Sequence, residues 1–179
     1  MGFEFEEISN EDYVFRQVTP FDRIFGDKRR RFPNETHFEL RPGEKGLSTN
    51  WDKHISLGQN FILIGLTHNP NTGKFLNHTM FQIFRYPVSF LMSIEGIENV
   101  KHQPVFHDNP APVGKPNNKS HSEVIYENDE EIWLKLSDFC NDNYDEAFCD
   151  FKANSVNDEI EELRELLNNT EYHKLWDFK

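Results

Sequence analysis

Extended runs rich in aromatic and β-branched residues dominate this chain up to residue 126, and sustained helical periodicity begins only after residue 129. That order is the strongest constraint on the fold. Strands that come first must share a sheet, and helices that come last must find a face of it to cover. Tyr13–Val18 (YVFRQV), 37–40, Gly46–Trp51, 81–86, 100–106 and 122–126 read as strands, each bounded by turn or proline signals. Pro104 places 100–106 at a sheet edge. Residues 21–35 are charged and contain Gly26 and Pro33, so they read as a loop with one helical turn at most. Residues 61–66 (FILIGL) form an apolar run that fits a buried strand and a helix equally. Pro87 opens a short helix over 88–94. Asp129 caps a helix with Ile132, Trp133, Leu136, Phe139 and Cys140 at three- and four-residue spacing. Ser155, with Asp158 three residues on, caps a last helix whose stripe is Val156, Ile160, Leu163 and Leu167. The expectation is an α+β fold: a mixed or antiparallel sheet with the C-terminal helices packed on one side. Residues 1–128 form the sheet-rich core, and 129–179 an acidic helical region on the same domain.

Composition narrows the function classes. The 17 Phe and 3 Trp supply a core that needs no disulfide staples. The net charge of −12 is uneven: residues 127–179 carry 16 acids and 5 bases, so nearly all the excess lies there. A broad nucleic-acid surface is unexpected, because it needs clustered Lys and Arg. The acidic end could instead dock a basic protein partner, as inhibitors and accessory subunits of bacterial conflict systems do. The one basic run, Lys28-Arg29-Arg30-Arg31, reads as a solvated turn. The N-terminus is acidic without an apolar segment, and no stretch approaches a membrane span, so the expectation is a cytoplasmic protein with Cys140 and Cys149 as free thiols.

The chemistry-bearing side chains concentrate in residues 101–127, a Pro/Asn-rich loop between two β-prone runs. Its borders hold His102, His107, Asp108, His121 and Glu123. On a strand, His121 and Glu123 share a face. If His107 meets them across the loop, the set suits a divalent metal, in a metal-dependent hydrolase, or general acid–base work. Thr72-Gly73-Lys74 ends like a phosphate loop, but Phe75 follows where a Ser or Thr would hold Mg²⁺.

Arg16 on the first strand, Ser48-Thr49 on a later one and Glu123 on a late one follow an order that resembles the R-S-E class of ADP-ribosyltransferases. The resemblance implies an enzyme that uses NAD to modify a target. In it Arg16, Ser48 and Thr49 bind the cofactor, Glu123 stabilises the oxocarbenium-like transition state, and His121 stands where the family has its specificity carboxylate. Ser48-Thr49-Asn50 replaces the family's Ser-Thr-Ser. A looser resemblance, carried by FRQV, GLST, HDNPAPV and HSEV, is to a family of small bacterial proteins of unassigned function.

Overall fold

The computed structural model describes residues 3–19, 21–25, 28–107 and 111–167. Strands β1 (Tyr13–Val18), β2 (Phe21–Phe25), β3 (Lys28–Phe32), β4 (Gly46–Trp51), β5 (Gln82–Pro87), β6 (Ile97–His102) and β7 (His121–Tyr126) alternate with helices α1 (Leu57–Leu66), α2 (Val88–Ser93), α3 (Glu130–Asp142), α4 (Tyr144–Ala147) and α5 (Asn157–Leu167). Five strands form an antiparallel sheet in the order β5-β1-β4-β7-β6, while β2 and β3 make a separate hairpin. The α+β class and the antiparallel sheet are as expected. Among the described residues, no helix is long and apolar enough to cross a membrane.

Strand alternation gives the sheet two apolar faces, and each has its own helices. Val14, Leu47, Phe84, Tyr86, Val124 and Tyr126 point to one face, where Leu91 of α2 and Ile132, Leu136 and Cys140 of α3 cover them. Phe15 and Ile83 point to the other, where α1, Val156 just ahead of α5, and the Ile160 and Leu163 stripe of α5 lie. The two C-terminal helices thus divide between the faces instead of sharing one. The linker between them makes this possible: it passes the outer edge of β5, where the Cys149 amide donates to the Ile83 carbonyl (3.1 Å) and Phe148 bridges to Phe84. Glu159, Glu161, Glu162 and Glu165 on the outer side of α5 are exposed.

Local capping settles several segments. Residues 61–66 are helical because Ser56 accepts from the Gln59 amide while the Gln59 side chain returns to the Ser56 amide, a reciprocal cap that starts α1 ahead of the apolar run. Residues 21–35, expected to be a loop, hold the β2–β3 hairpin and a 3-10 turn at Glu35–His37. Residues 37–40 are not a strand. Phe38 and Leu40 turn into the core, and the Asn128 amide takes both the N–H and the C=O of Leu40 (2.8 and 3.2 Å), as a strand partner would. The β6–β7 ladder runs past His102 at alternate residues, through Gln103 to His121 and Val105 to Asn118, with Pro104 between them on a position that needs no donor. Ser155, expected to cap the last helix, lies inside a 3-10 turn, Ala153–Val156, that leads directly into α5 at Asn157.

Helices α1 and α5 cross where α1 has no side chain. A Cβ on Gly65 would lie 2.7 Å from Cδ1 and 3.1 Å from Cγ2 of Ile160. Arg164 locks the crossing, donating Nε and Nη2 to the Gly65 carbonyl (3.2 and 2.7 Å) while its guanidinium covers the Phe75 ring. Gly65→Ala should therefore destabilise the protein by about 1–3 kcal/mol through overpacking, although alanine is the better helix former. Urea unfolding of the two proteins measures it.

Candidate functional site

Four amide side chains from four separate parts of the chain meet above the sheet. Asn118 Nδ2 donates to Asn50 Oδ1 (2.8 Å), and Asn50 Nδ2 donates to Asn60 Oδ1 (2.9 Å). Gln17 Nε2 donates to the same Asn60 oxygen (3.1 Å), and Asn60 Nδ2 donates to the Ser56 carbonyl (3.0 Å). Asn50 and Asn60 are buried, so each must find partners inside the protein. The chain of amides ties the 103–120 loop to β4, α1 and β1.

This network forms part of the wall of a cleft of about 490 Å³. Phe15, Leu63 and Phe81 supply an apolar side. Arg16, His68, His107 and Lys115 supply cationic or protonatable groups, and Ser48, Thr49 and Asn50 come from β4. Among the described residues that line it there is no Asp or Glu. The loop wall depends on Gly114. Its φ of +76° is the left-handed conformation, and a Cβ there would sit 2.0 Å from the His68 ring, so the loop lies flat on the imidazole. The His68 amide donates to the Gly114 carbonyl (2.9 Å).

Arg16 occupies the point where β1 and β4 part. These strands pair only at Val14–Trp51 and Phe15–Asn50. Beyond them the guanidinium donates Nη1 to the Ser48 carbonyl and Nη2 to the His37 carbonyl, each at 2.8 Å. Its Nε is buried and has no partner, no carboxylate pairs with it among the described residues, and burial pushes its pKa down.

Arg16, Ser48, Thr49 and His107 line the cleft. Thr49 Oγ1 is already bonded to Ser122 Oγ (2.8 Å). Glu123 is the cross-strand partner of Ser48 and lies beside the cleft, not in its lining. His121 touches Ser48: Nε2 is 2.9 Å from Ser48 Oγ, and Nδ1 is 2.6 Å from the Gln103 carbonyl. With both ring nitrogens engaged, His121 does not combine with His107 and Glu123 as a metal-binding set. Asp108 lies outside the described residues. Neither thiol is a ready nucleophile, since burial pushes Cys140 up to about 12 and Cys149 to about 11. Thr72-Gly73-Lys74 closes the surface turn that starts at Asn69, whose carbonyl accepts from the Thr72 and Gly73 amides (3.3 and 2.8 Å).

Among the described residues, the one convergent group of metal-type ligands is Glu6, His54 and His102, away from the cleft. His102 is committed on both sides, accepting from the Glu6 amide at Nδ1 (3.1 Å) and donating Nε2–H to the Lys119 carbonyl (2.6 Å). The His54 and His102 rings stack at 5.2 Å with their planes 24° apart, and the three ligand atoms lie within 4.8 Å of one another. The cluster works as a clasp: Glu6 receives the Lys53 ammonium (2.5 Å) and lies 2.7 Å from His54 Nε2 in a bent contact, holding the N-terminal segment against β6.

No protein-family model matches this chain, and no curated protein or solved structure shows significant similarity to it.

The clasp makes a prediction about acid stability. The hydrogen bond from Lys53 holds the Glu6 carboxyl below its ordinary 4.5, with His54 assisting, while burial pushes His54 below its ordinary 6.5 against the pull of Glu6. In each case the unfolded chain binds the proton first. Stability should fall as pH drops below about 6.5 through His54, and fall again below about 4.5 through Glu6. Glu6→Gln should abolish the lower phase and steepen the upper one, because His54 loses the group that favours its charged form. Urea midpoints from about pH 2.5 to about pH 7 for both proteins read this directly.

Proposed function

We propose that the cleft binds a small anion of the nucleotide class, and that NAD is the specific ligand in an ADP-ribosyl-transfer reaction. The carrying observation is the charge contrast. A chain of 31 acids and 19 bases builds a cleft whose described lining holds Arg16, Lys115, His68 and His107 and no carboxylate. A concave, low-dielectric wall of one sign focuses its field and raises the local concentration of an oppositely charged ligand. Lys115 is exposed and has no partner among the described residues, so it is available to a phosphate. Phe15, Leu63 and Phe81 offer the apolar surface that a planar base needs.

In the transferase version Arg16 shapes the floor through its two carbonyl bonds, and Ser48 and Thr49 present the strand under the ligand. Glu123, opposite Ser48, supplies the carboxylate for the developing cation. His121, held to Ser48, takes the place of the second carboxylate and sets the target class.

Thermal unfolding with NAD, ADP-ribose, AMP, inorganic phosphate and nicotinamide tests the reading. A ligand at 100 times its Kd adds about 2.7 kcal/mol, a rise in Tm of about 5–10 °C for a domain of this size. NAD and ADP-ribose should give that rise, nicotinamide should not, and Lys115→Ala should reduce it with little change in the ligand-free Tm. If none of the anions shifts Tm, the proposal fails. If phosphate alone does, the nucleotide assignment fails.

A further inference from the structure

We infer that Ser48 is a nucleophile activated by His121, and that the cleft hydrolyses carboxylic esters of anionic alcohols through an acyl-serine intermediate. The substrate's charge rests on the cleft reading above; the nucleophile does not, because it stands on separate distances.

The proton positions follow from the chemistry of one partner. The Gln103 carbonyl can only accept, so the 2.6 Å contact places the His121 proton on Nδ1. Nε2 then carries the lone pair, and at 2.9 Å it accepts the Ser48 hydroxyl hydrogen. This is the arrangement that nucleophilic catalysis requires: hydroxyl, base within hydrogen-bond reach, and a third group fixing the base's tautomer. The backbone enforces it. Ser48 pairs with Glu123 and Asn50 with His121, so Ser48 and His121 are diagonal neighbours on one face of the β4–β7 ladder. The Gln103 amide donates to the His121 carbonyl (2.9 Å), so the orienting carbonyl belongs to the same ladder extension as the base. Ser48 is the exposed member of β4 and opens into the cleft.

An acyl group suits this site better than a phosphoryl group. Phosphoryl transfer needs charge stabilisation at several oxygens of the reacting phosphorus, and both Arg16 Nη atoms beside Ser48 are already committed to carbonyls. The ester carbonyl is neutral before attack, while the free cation Lys115 is placed to hold an anionic leaving group.

The steps balance. Ser48 Oγ bonds to the ester carbon as its proton moves to His121 Nε2. The carbon–alkoxide bond breaks, and the alkoxide takes that proton and leaves as the alcohol. A water then attacks the acyl-serine, giving a proton to Nε2, and the acid departs as Oγ recovers it.

A fluorophosphonate probe tests the nucleophile on the full chain, since attack by Oγ displaces fluoride and leaves a stable Ser adduct. Intact mass and peptide mapping should find one adduct, on Ser48. Ser48→Ala should abolish it, and His121→Gln should slow it by about 10²-fold or more, with Tm measured for each. In Ser48→Cys, the new thiol should react with iodoacetamide faster than Cys140 and Cys149, and lose that advantage when His121→Gln is added. No adduct in folded protein, an adduct elsewhere, or equal rates with and without His121 would overturn the inference. Inorganic phosphate added to the labelling separates the two readings. Labelling that phosphate does not slow keeps the nucleophile and overturns the anionic substrate. A phosphate-induced rise in Tm without labelling keeps the cleft and overturns the nucleophile.

Discussion

The relay of amides from Asn118 through Asn50 to Asn60 and Gln17 is the interaction on which the site depends. Each member sits on a different element, and each satisfies a polar group that the next one would otherwise leave buried without a partner. A neutral hydrogen bond contributes about 0.5–1.5 kcal/mol net, but orphaning a buried amide costs about 1–3 kcal/mol. The relay is therefore an all-or-none fastening of loop, sheet and helix. The cleft exists because the fastening holds the loop at the level of the sheet instead of letting it collapse onto α1.

Arg16 extends the same logic below the sheet. A cation with two carbonyls and no carboxylate partner among the described residues is an expensive way to join β1, β4 and the Glu35–His37 turn. It fits a site that gathers positive potential. A carboxylate partner would have stabilised the strand junction and cancelled the field at the cleft floor.

Much of the frame is legible in the sequence because it is written locally. Asp129 does cap α3, its side chain accepting from the Glu131 amide, and Pro104 does mark an edge strand. Residues 61–66 are ambiguous in isolation, and the signal that resolves them, Ser56 with Gln59, lies just upstream. The hairpin at residues 21–32 hides behind its charges, because the period-2 apolar pattern is weak there. The site divides in the same way. Arg16, Ser48 and His107, from the FRQV, GLST and HDNPAPV stretches, do come together at the cleft, and His121 of HSEV is joined to Ser48. Gln17, Asn50, Asn60 and Asn118 are not legible as a set, since no spacing rule links amides this far apart. The failed convergence of His107 with His121 is equally non-local: the strand register gives His121 to Ser48 and Gln103 before any metal could claim it.

The passage of the α3–α5 linker along β5 has a second consequence. An open sheet ends in strands with unused donors and acceptors, and these can recruit strands from other molecules. Here one margin is shielded by Phe148 and Cys149, and at the other the segment around Glu6 lies against β6, whose outward Glu98 and Lys101 add charge. Segments from opposite ends of the sequence thus guard opposite margins of the sheet. A proteolytic nick in either segment would leave the core and the cleft residues intact while baring a strand for intermolecular pairing, so self-association would precede loss of the fold.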